Sequence, residues 1–477
     1  MLEGHSGLRL AFAAEIYIVC LTGTLIVFQD ELLLWEAAGA PELTSVTPHA
    51  VQTAIEGAIA HGGTGVEHVY ATLPSPENPR LRLYVDAAVD SNRAADANGS
   101  ISGPHHSAWT EFVSGLHVQL HLPQIWGMFV VGMTGVALLS SLISGILAHP
   151  RILRDAFHLR LGGSRRLQEA DPHNRIGVWG LPFHFIVSLS GSFLGPVTIT
   201  VGVLGMAMFN GDTSRIYELF LPAEPVDNPG PAPAIDEVAM FGKAHTDRHL
   251  ERIVIEHPLE QGAAALFEYR DGTKLAGEEH YAFNRESELY YSKVVQQSAT
   301  GEQIFGSLAP LHFGWFGGLP VKLAYVALGF GLTYLSVAGV NIWLARRRDN
   351  GRPAPRWESI WGACVWSQPL ALALLALVAF ALPDVAMVTI VSLWLALTCA
   401  ALLCALPCRE EKIALLYKIG TGVCLLAVAI WHAAALAHGS ASLTPWLIDG
   451  ALALASSMLL WSSARQGREQ RAGAGVW

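Results

Sequence analysis

Eight stretches of this chain run for about twenty residues with almost no charge, and a chain so patterned has few ways to fold. Each is long enough to cross about 30 Å of hydrocarbon as a helix. Inside hydrocarbon every backbone N–H and C=O needs an internal partner, which an α-helix supplies by itself. The stretches lie at about 8–28, 123–148, 179–209, 319–345, 361–382, 385–406, 413–437 and 445–464, and most are interrupted only by Gly, Ser, Thr or Pro. At 52% hydrophobic and 15% charged residues, the chain of 477 carries less charge than a water-soluble protein of that length. The expected fold is therefore a mainly α membrane protein, a polytopic bundle of about eight transmembrane helices.

Basic residues set the orientation, because loops rich in Lys and Arg stay on the cytoplasmic side. Arg151, Arg154, Arg160, Arg165, Arg166 and Arg175 follow the second stretch. Arg346 to Arg348, Arg352 and Arg356 follow the fourth, Arg409 and Lys412 the sixth, and Arg465, Arg468 and Arg471 the eighth. Every second connection is basic, which predicts an inner-membrane protein with both termini cytoplasmic. The first stretch lacks a convincing cleavage site around Cys20 to Phe28 and reads as a retained anchor.

The two long connections on the other side, 29–122 and 210–318, are acidic; 29–122 holds three Arg against eleven Asp and Glu. All six cysteines lie in the apolar stretches or at their cytoplasmic edge, so no disulfide supports these connections. Cys404 and Cys408 read as small apolar residues of a helix rather than metal ligands. No CxxCH occurs, so covalent haem attachment is excluded. Segment 48–90 predicts one helix, with Val51, Ala54, Ile55, Ala58 and Ile59 at helical spacing, then strands at Val66 to Leu73 and Arg80 to Val85. Segment 234–294 repeats the plan. A helix at Ile235 to Ala244 precedes strands at Leu250 to Ile255, Ala263 to Tyr269, His280 to Phe283 and Leu289 to Lys293. A proline-rich linker, Pro222 to Pro233, leads into it. These are two small α+β modules without a catalytic triad, a phosphate loop or a metal-spaced ligand set. His105-His106 reads as part of a solvated loop. The resulting domain boundaries are 1–28, 29–122, 123–209, 210–318, 319–348 and a four-span extension at 349–477.

Histidines mark the ends of the first four stretches. Neutral imidazole is a common haem iron ligand, and ionisable groups against a bilayer are scarce and usually functional. By depth, His117, His121 and His312 belong to the outer face, and His5, His149 and His173 to the cytoplasmic face. His184 follows His173 by eleven residues, three turns deeper on nearly the same helix face. His117 and His121 stand at i,i+4, so one face of a helix would carry both and only one could ligate a given iron. The candidate haem-binding residues are His117, His121, His312, His173, His5, His184 and His149. The irons are expected on His117, His312, His173 and His5. Glycines recur near them at Gly127, Gly132 and Gly135, at Gly191, Gly195, Gly202 and Gly205, and at Gly329 and Gly331. They leave room either for a flat macrocycle or for close helix packing. Glu15, inside the first stretch, is a candidate proton carrier or partner of a polar seam. His432, in the seventh, reads as a packing or hydrogen-bonding residue.

The stretch from Leu116 to Gly191 resembles the PepSY-associated transmembrane family, often labelled iron-regulated membrane proteins. The resemblance is carried by Leu116-His117, Leu120-His-Leu-Pro123, Gly127, Gly132, Gly135, Gly145, His149, Phe157 and Arg160. Asp171, His173-Asn174, Gly177 and Leu181-Pro-Phe-His184 continue it. His5, Gly7, Leu21-Thr-Gly-Thr24 and Phe28 extend it forward, and Leu311-His-Phe-Gly314, Phe316-Gly-Gly318, Gly339, Trp343 and Arg346 to Arg348 extend it to about residue 348. The His5-Ser-Gly7 opening is a compressed form of the family's pattern. The resemblance implies PepSY modules in the periplasm on a four-span core, with a link to siderophore-iron uptake. Some relatives resemble reductases that bind two b-type haems and reduce ferric siderophores.

The expected function is an inner-membrane electron-transfer protein holding two haem b groups. It would pass electrons from an unidentified cytoplasmic donor to a ferric siderophore in the periplasm. No dinucleotide fingerprint is present, so the donor is another protein or a small reductant. The partners are the lipid bilayer, the siderophore and that donor; no nucleic acid is expected. The alternatives are a non-enzymatic PepSY envelope protein that binds a peptide or peptidase, and an iron-chelate transporter. Transport is disfavoured by the lack of a clear inverted repeat or of a helix broken at the midplane.

Overall fold

The computed structural model describes residues 4–37, 39–87, 91–104, 107–148, 165–217, 248–259, 263–436 and 442–474. In chain order the helices are α1 (Gly4–Ile26), α2 (Gln29–Glu36), α3 (Pro48–Gly62), α4 (Ala108–Gln119), α5 (Gln124–Ala148), α6 (Arg165–Trp179) and α7 (Leu181–Leu194). They continue as α8 (Val197–Phe209), α9 (Thr300–Phe313), α10 (Gly318–Asp349), α11 (Pro355–Ala381), α12 (Met387–Ala405), α13 (Glu410–Leu436) and α14 (Thr444–Ala474). Six of them are each long and apolar enough to cross a membrane, or eight spans exist if each of two bent pairs counts as one.

The first bent pair is α1 with α2, at 72°. The apolar run ends at Phe28, and the polar Gln29, Asp30 and Glu31 open the new helix. Glu31 is nine-tenths buried and accepts a 2.6 Å bond from the Lys322 ammonium, which lies 5.8 Å over the Phe28 ring. A buried charge needs such a partner, and this one ties the bend to the start of α10.

The second bent pair is α6 with α7, at 73°, and the run 179–209, expected as one helix, is divided into α7 and α8. The chain breaks at Gly180, where Pro182 in the first turn of α7 lacks an N–H and presets the new helix. It breaks again at Gly195-Pro196 before α8. A Cβ on Gly195 would stand 2.5 Å from the Gly132 Cα, so two backbones meet there. A Cβ on Gly135 would likewise stand 2.9 Å from the Ser192 amide nitrogen. These glycines serve close helix packing, the second of the two uses expected of them.

The extramembrane strands are β1 (His68–Thr72), β2 (Leu81–Asp86), β3 (Ser91–Ala95), β4 (Ile101–Pro104), β5 (His249–Glu256), β6 (Ala264–Arg270), β7 (Glu278–Phe283) and β8 (Leu289–Val294). They form one antiparallel sheet in the order β4-β3-β2-β1-β5-β6-β7-β8. The two expected modules are thus two half-sheets fused by the β1–β5 pair, with Val69 opposite Ile255. The predicted strands of both halves are present; β3 and β4 are additional. The expected helix at 235–244 lies outside the described residues. Helix α3 begins at Thr47, whose hydroxyl caps the Ala50 amide at 3.2 Å. Its Val51, Ala54, Ile55 and Ala58 cover Val69, Leu81, Leu83 and Val85. Each such branched side chain, fully buried, contributes about 1.5–3 kcal/mol.

The sheet is bolted to the membrane helices at one end of its strands. Arg82 pairs with Asp30 at 3.0 Å, and the Asn78 amide donates to the Asp30 carbonyl. Arg80, fully buried, donates to the Leu33 carbonyl at 3.4 Å, and burial pushes its guanidinium down to about 10. In the second half-sheet the Gly317 amide donates to the Gly272 carbonyl, and Arg270 sits 4.5 Å over the Trp315 ring.

The last four helices share a core with the first part of the chain. Trp35, Trp109, Phe112 and Leu116 pack in one cluster with Trp361, Leu372, Leu375 and Trp394. Tyr17 donates to the Val365 carbonyl at 2.6 Å, and the Trp109 indole to the Leu372 carbonyl at 2.9 Å. His432 is buried between Asp449 and α2. Its Nδ1 lies 2.9 Å from an Asp449 oxygen, its Nε2 donates to the Trp35 carbonyl at 2.7 Å, and Trp35 Nε1 donates to Asp449 at 2.9 Å. His432 therefore hydrogen-bonds, as its position in an apolar run suggested.

Candidate functional site: facing histidines in the helix bundle

Two short helices, α4 and α9, each bring one histidine to the end of the bundle nearest the sheet. Helix α4 starts under a borrowed cap. The carboxylate of Glu36 at the end of α2 accepts the Trp109 and Thr110 amides, both at 2.8 Å. Those first-turn amides have no partner inside their own helix, so Glu36 fixes where α4 begins and hence where His117 stands. The helix ends with Leu120 and His121 at φ 53° and 51°. Left-handed backbone is uncommon for residues other than glycine, and here it folds His121 back onto its own helix. The His121 ring stacks on Phe112, 5.0 Å between centres, and Nε2 donates to the Phe112 carbonyl at 2.8 Å. The expectation that His117 and His121 share one helical face thus fails, because the helix stops between them.

Helix α9 stops one residue after His312. Gly314, at φ 74°, takes the left-handed position that favours glycine, and its missing side chain lets the Tyr325 ring approach. Tyr325 then donates to the Leu311 carbonyl at 2.6 Å, tying α9 to α10.

His117 and His312 face each other with ring centres 6.1 Å apart and planes 25° from parallel. His117 Nδ1 lies 2.9 Å from the Val19 carbonyl, which only accepts, so Nδ1 is the donor. His312 Nδ1 lies 3.0 Å from Ser190 Oγ. That hydroxyl already spends its proton on the Ile186 carbonyl at 2.7 Å, so it accepts from His312 as well. In each neutral ring the remaining nitrogen, Nε2, then carries the lone pair. An N–H of a ligating histidine held by a carbonyl or hydroxyl is the usual way its ring is oriented toward a metal. Imidazole nitrogen binds a metal at about 2 Å, which puts each ring centre about 3 Å from it. Two rings 6.1 Å apart match that spacing.

The surroundings are apolar. The cavity that both histidines line is walled by Val19 and Gly23 of α1, Met128 and Val131 of α5, Val187 and Gly191 of α7, and Gly329 and Leu332 of α10. Two glycines make the histidine positions possible. A Cβ on Gly23 would stand 2.5 Å from the His117 ring, and one on Gly191 3.0 Å from the His312 ring. The residues present therefore fit a flat, largely apolar metal complex that the two imidazoles would hold. Thr134, which also lines the cavity, donates a 2.6 Å bond to Glu15.

Two further histidines, His173 and His184, are buried in the bundle, His173 beside Gly339 of α10 and His184 beside Phe183, a residue of the cavity wall. His184 is fully buried at the start of α7, and neither ring nitrogen makes a hydrogen bond of ordinary geometry. Gly180 makes room for it; a Cβ there would stand 2.4 Å from the ring. His173 on α6 has a buried Nδ1 without a partner, and its ring approaches the Gly339 position of α10 at 3.9 Å. Orphaned buried nitrogens are costly and fit a second group that ligates there. The bend at Gly180 separates the two rings, so they do not share one continuous helix face. Gly339 is ten residues beyond Gly329 on α10, about 15 Å along the axis, so the two histidine levels are stacked through the bundle. His5 lies on α1 with its side chain outside the described residues, and His149 lies outside them altogether. Glu36, Val19, Ser190 and Gly23 are the site residues that sequence reasoning missed; two of them act through a carbonyl or a missing side chain.

The architecture is that of a multi-pass membrane protein bearing an extramembrane antiparallel sheet. The chain belongs to the PepSY-associated TM region family, whose model matches residues 3–346. It is also 25% identical over 243 residues to an uncharacterized protein of Pseudomonas aeruginosa, PA4219, covering 46% of this chain and 60% of that relative.

Proposed function

We propose that this chain is a b-type di-haem electron-transfer protein of the cytoplasmic membrane that reduces ferric siderophore on the side of the sheet. The observation that carries the reading is the His117–His312 pair, two nearly parallel imidazoles 6.1 Å apart that line one apolar cavity with their Nδ1 atoms already bonded. His117 and His312 would hold one haem. His173 and His184, with His5 of α1, are the residues for the other. Bound haem supplies reversible one-electron chemistry at iron. The chain's own residues do the rest. Val19 and Ser190 hold the imidazoles in the ligating tautomer. The cavity wall keeps water away, and stacking two levels about 15 Å apart along α10 gives electrons a path across the bundle.

The basic ends of the helices support a topology with the termini in the cytoplasm and the sheet in the periplasm, in which the cytoplasmic donor would feed the His173 level. At the other end one electron converts each ferric ion to ferrous iron, which binds hard oxygen ligands more weakly and leaves the siderophore. Detergent-purified protein reduced with dithionite and desalted should be reoxidised on adding ferric siderophore, with one ferrous ion trapped by a chromogenic chelator per electron lost. Absence of reoxidation above the buffer rate would defeat the proposal. A second reading, chelate transport, draws on the breaks at Gly180 and Gly195. Proteoliposomes that take up the intact ferric chelate without producing ferrous iron would favour it.

A further inference from the structure

The rim of the sheet at the start of β1 carries a group of residues that the electron path does not use. Strand β1 starts at His68. In register, Asp86 of β2 stands on one side of it and Glu256 of β5 on the other. Residues directly opposite one another on neighbouring strands present their side chains to one face. Glu67, just before β1, offers its carboxylate to the same spot; ligand atoms of Glu67, His68 and Asp86 all lie within 4.8 Å of one another. His257, just after β5, lies with its ring centre 5.1 Å from that of His68. Backbone bonds hold these residues together: the Glu67 amide donates to the Asp86 carbonyl, and the His257 amide to the Glu67 carbonyl.

The place is remote from the histidine cavity. The Thr72 end of β1 leads into the loop whose Asn78 and Arg80 grip α2. His68 is at the opposite end, about 13 Å along the strand from Thr72. Asp86 meets His68 Nδ1 at 3.2 Å, and among the described residues no Lys or Arg pairs with Asp86 or Glu67. His68 is 26% exposed and Asp86 37%, so the group is reachable from solvent yet partly walled.

We propose that Glu67, His68 and Asp86, with His257 completing the set, bind one divalent transition cation of the Zn2+, Co2+ or Fe2+ class. The donor set decides the class. Calcium and magnesium favour all-oxygen sites, and cuprous ion favours sulfur. Imidazole mixed with carboxylate suits first-row divalent ions. The ion would join β1 and β2 of the first half-sheet to the end of β5 in the second, so it would act as a clip across the seam. This proposal is independent of the haem reading.

Zinc is the probe. The full-length protein in detergent, stripped with chelator, is titrated with zinc sulfate by calorimetry, and bound zinc is counted by elemental analysis after dialysis. The variants are Glu67→Gln, at an exposed position, and the double variant His68→Gln/Asp86→Asn. Unchanged circular dichroism and gel-filtration profile show that each is folded. The wild type should hold one zinc more than the double variant and show a rise in melting temperature with zinc that the double variant lacks. Glu67→Gln should weaken the tightest site by at least about tenfold. Equal zinc stoichiometry and affinity in the wild type and both folded variants would overturn the proposal.

Discussion

Replacing His312 with alanine is expected to remove or make five-coordinate the haem at the sheet-side level and to leave the deeper one nearly intact. His312 supplies one of two facing imidazoles, and its neighbour Ser190 keeps its bond to the Ile186 carbonyl when the ring is gone. The local fold therefore has little reason to fail. His117→Ala should give the same spectral component, because both rings face one cavity. His121→Ala should leave it in place, since that ring stacks on Phe112 and bonds its carbonyl instead. His184→Ala or His173→Ala should disturb the complementary component. Electron flow to external ferric chelate should fall by more than about tenfold in His312→Ala, given that second-shell changes alone cost metal sites 10–100-fold. Resolved optical and electron paramagnetic resonance spectra of each variant check the assignment. Identical loss in His121→Ala and His312→Ala would contradict it.

The second large effect is expected at Asp449→Ala. Asp449 accepts from His432 and from the Trp35 indole, and all three side chains are buried. Truncation leaves two donors without acceptors. Breaking a buried pair in this way costs about 3–5 kcal/mol. The cost falls on the seam between α2 and the last two helices, next to Glu36, which caps α4. Denaturant titration in detergent should show the loss, and restoring the acceptor with Asp449→Asn should recover part of it. A stability change below about 0.5 kcal/mol, the level of an ordinary surface substitution, would mean that the Asp449–His432–Trp35 contact does not hold the extension to the core.

Much of this architecture is written locally in the chain. The apolar runs name the spans, and alternation names most strands, because both depend on neighbours in sequence. Ser91 to Ala95 escaped notice because a polar, non-alternating segment reads as loop; its strand exists only by pairing with β2. The joining of the half-sheets by β1 and β5 has no local sign either, since the partners lie about 180 residues apart. Pro182 and Pro196 did signal the breaks in the third apolar run, but the composition stays apolar across both and hides them.

The histidines themselves were legible, whereas their separation into facing and turned-away rings was not. Leu120 and His121 adopt left-handed backbone that their residue types do not favour. The Val19 carbonyl that orients His117 is a backbone atom with no residue preference. The cluster of Glu67, His68, Asp86 and His257 is invisible for the same reason as the sheet seam: its members meet only after the strands align.

The central claim is that paired imidazoles hold haem in this bundle, and counting haem tests it most directly. Protein purified in mild detergent from haem-replete cells is measured by pyridine haemochrome against amino-acid analysis, beside the His117→Ala/His312→Ala double variant. The account predicts b-type haem at close to two per wild-type chain, extractable by acid acetone, and close to one in the double variant. A colourless wild-type protein, or equal haem in the two, would contradict it.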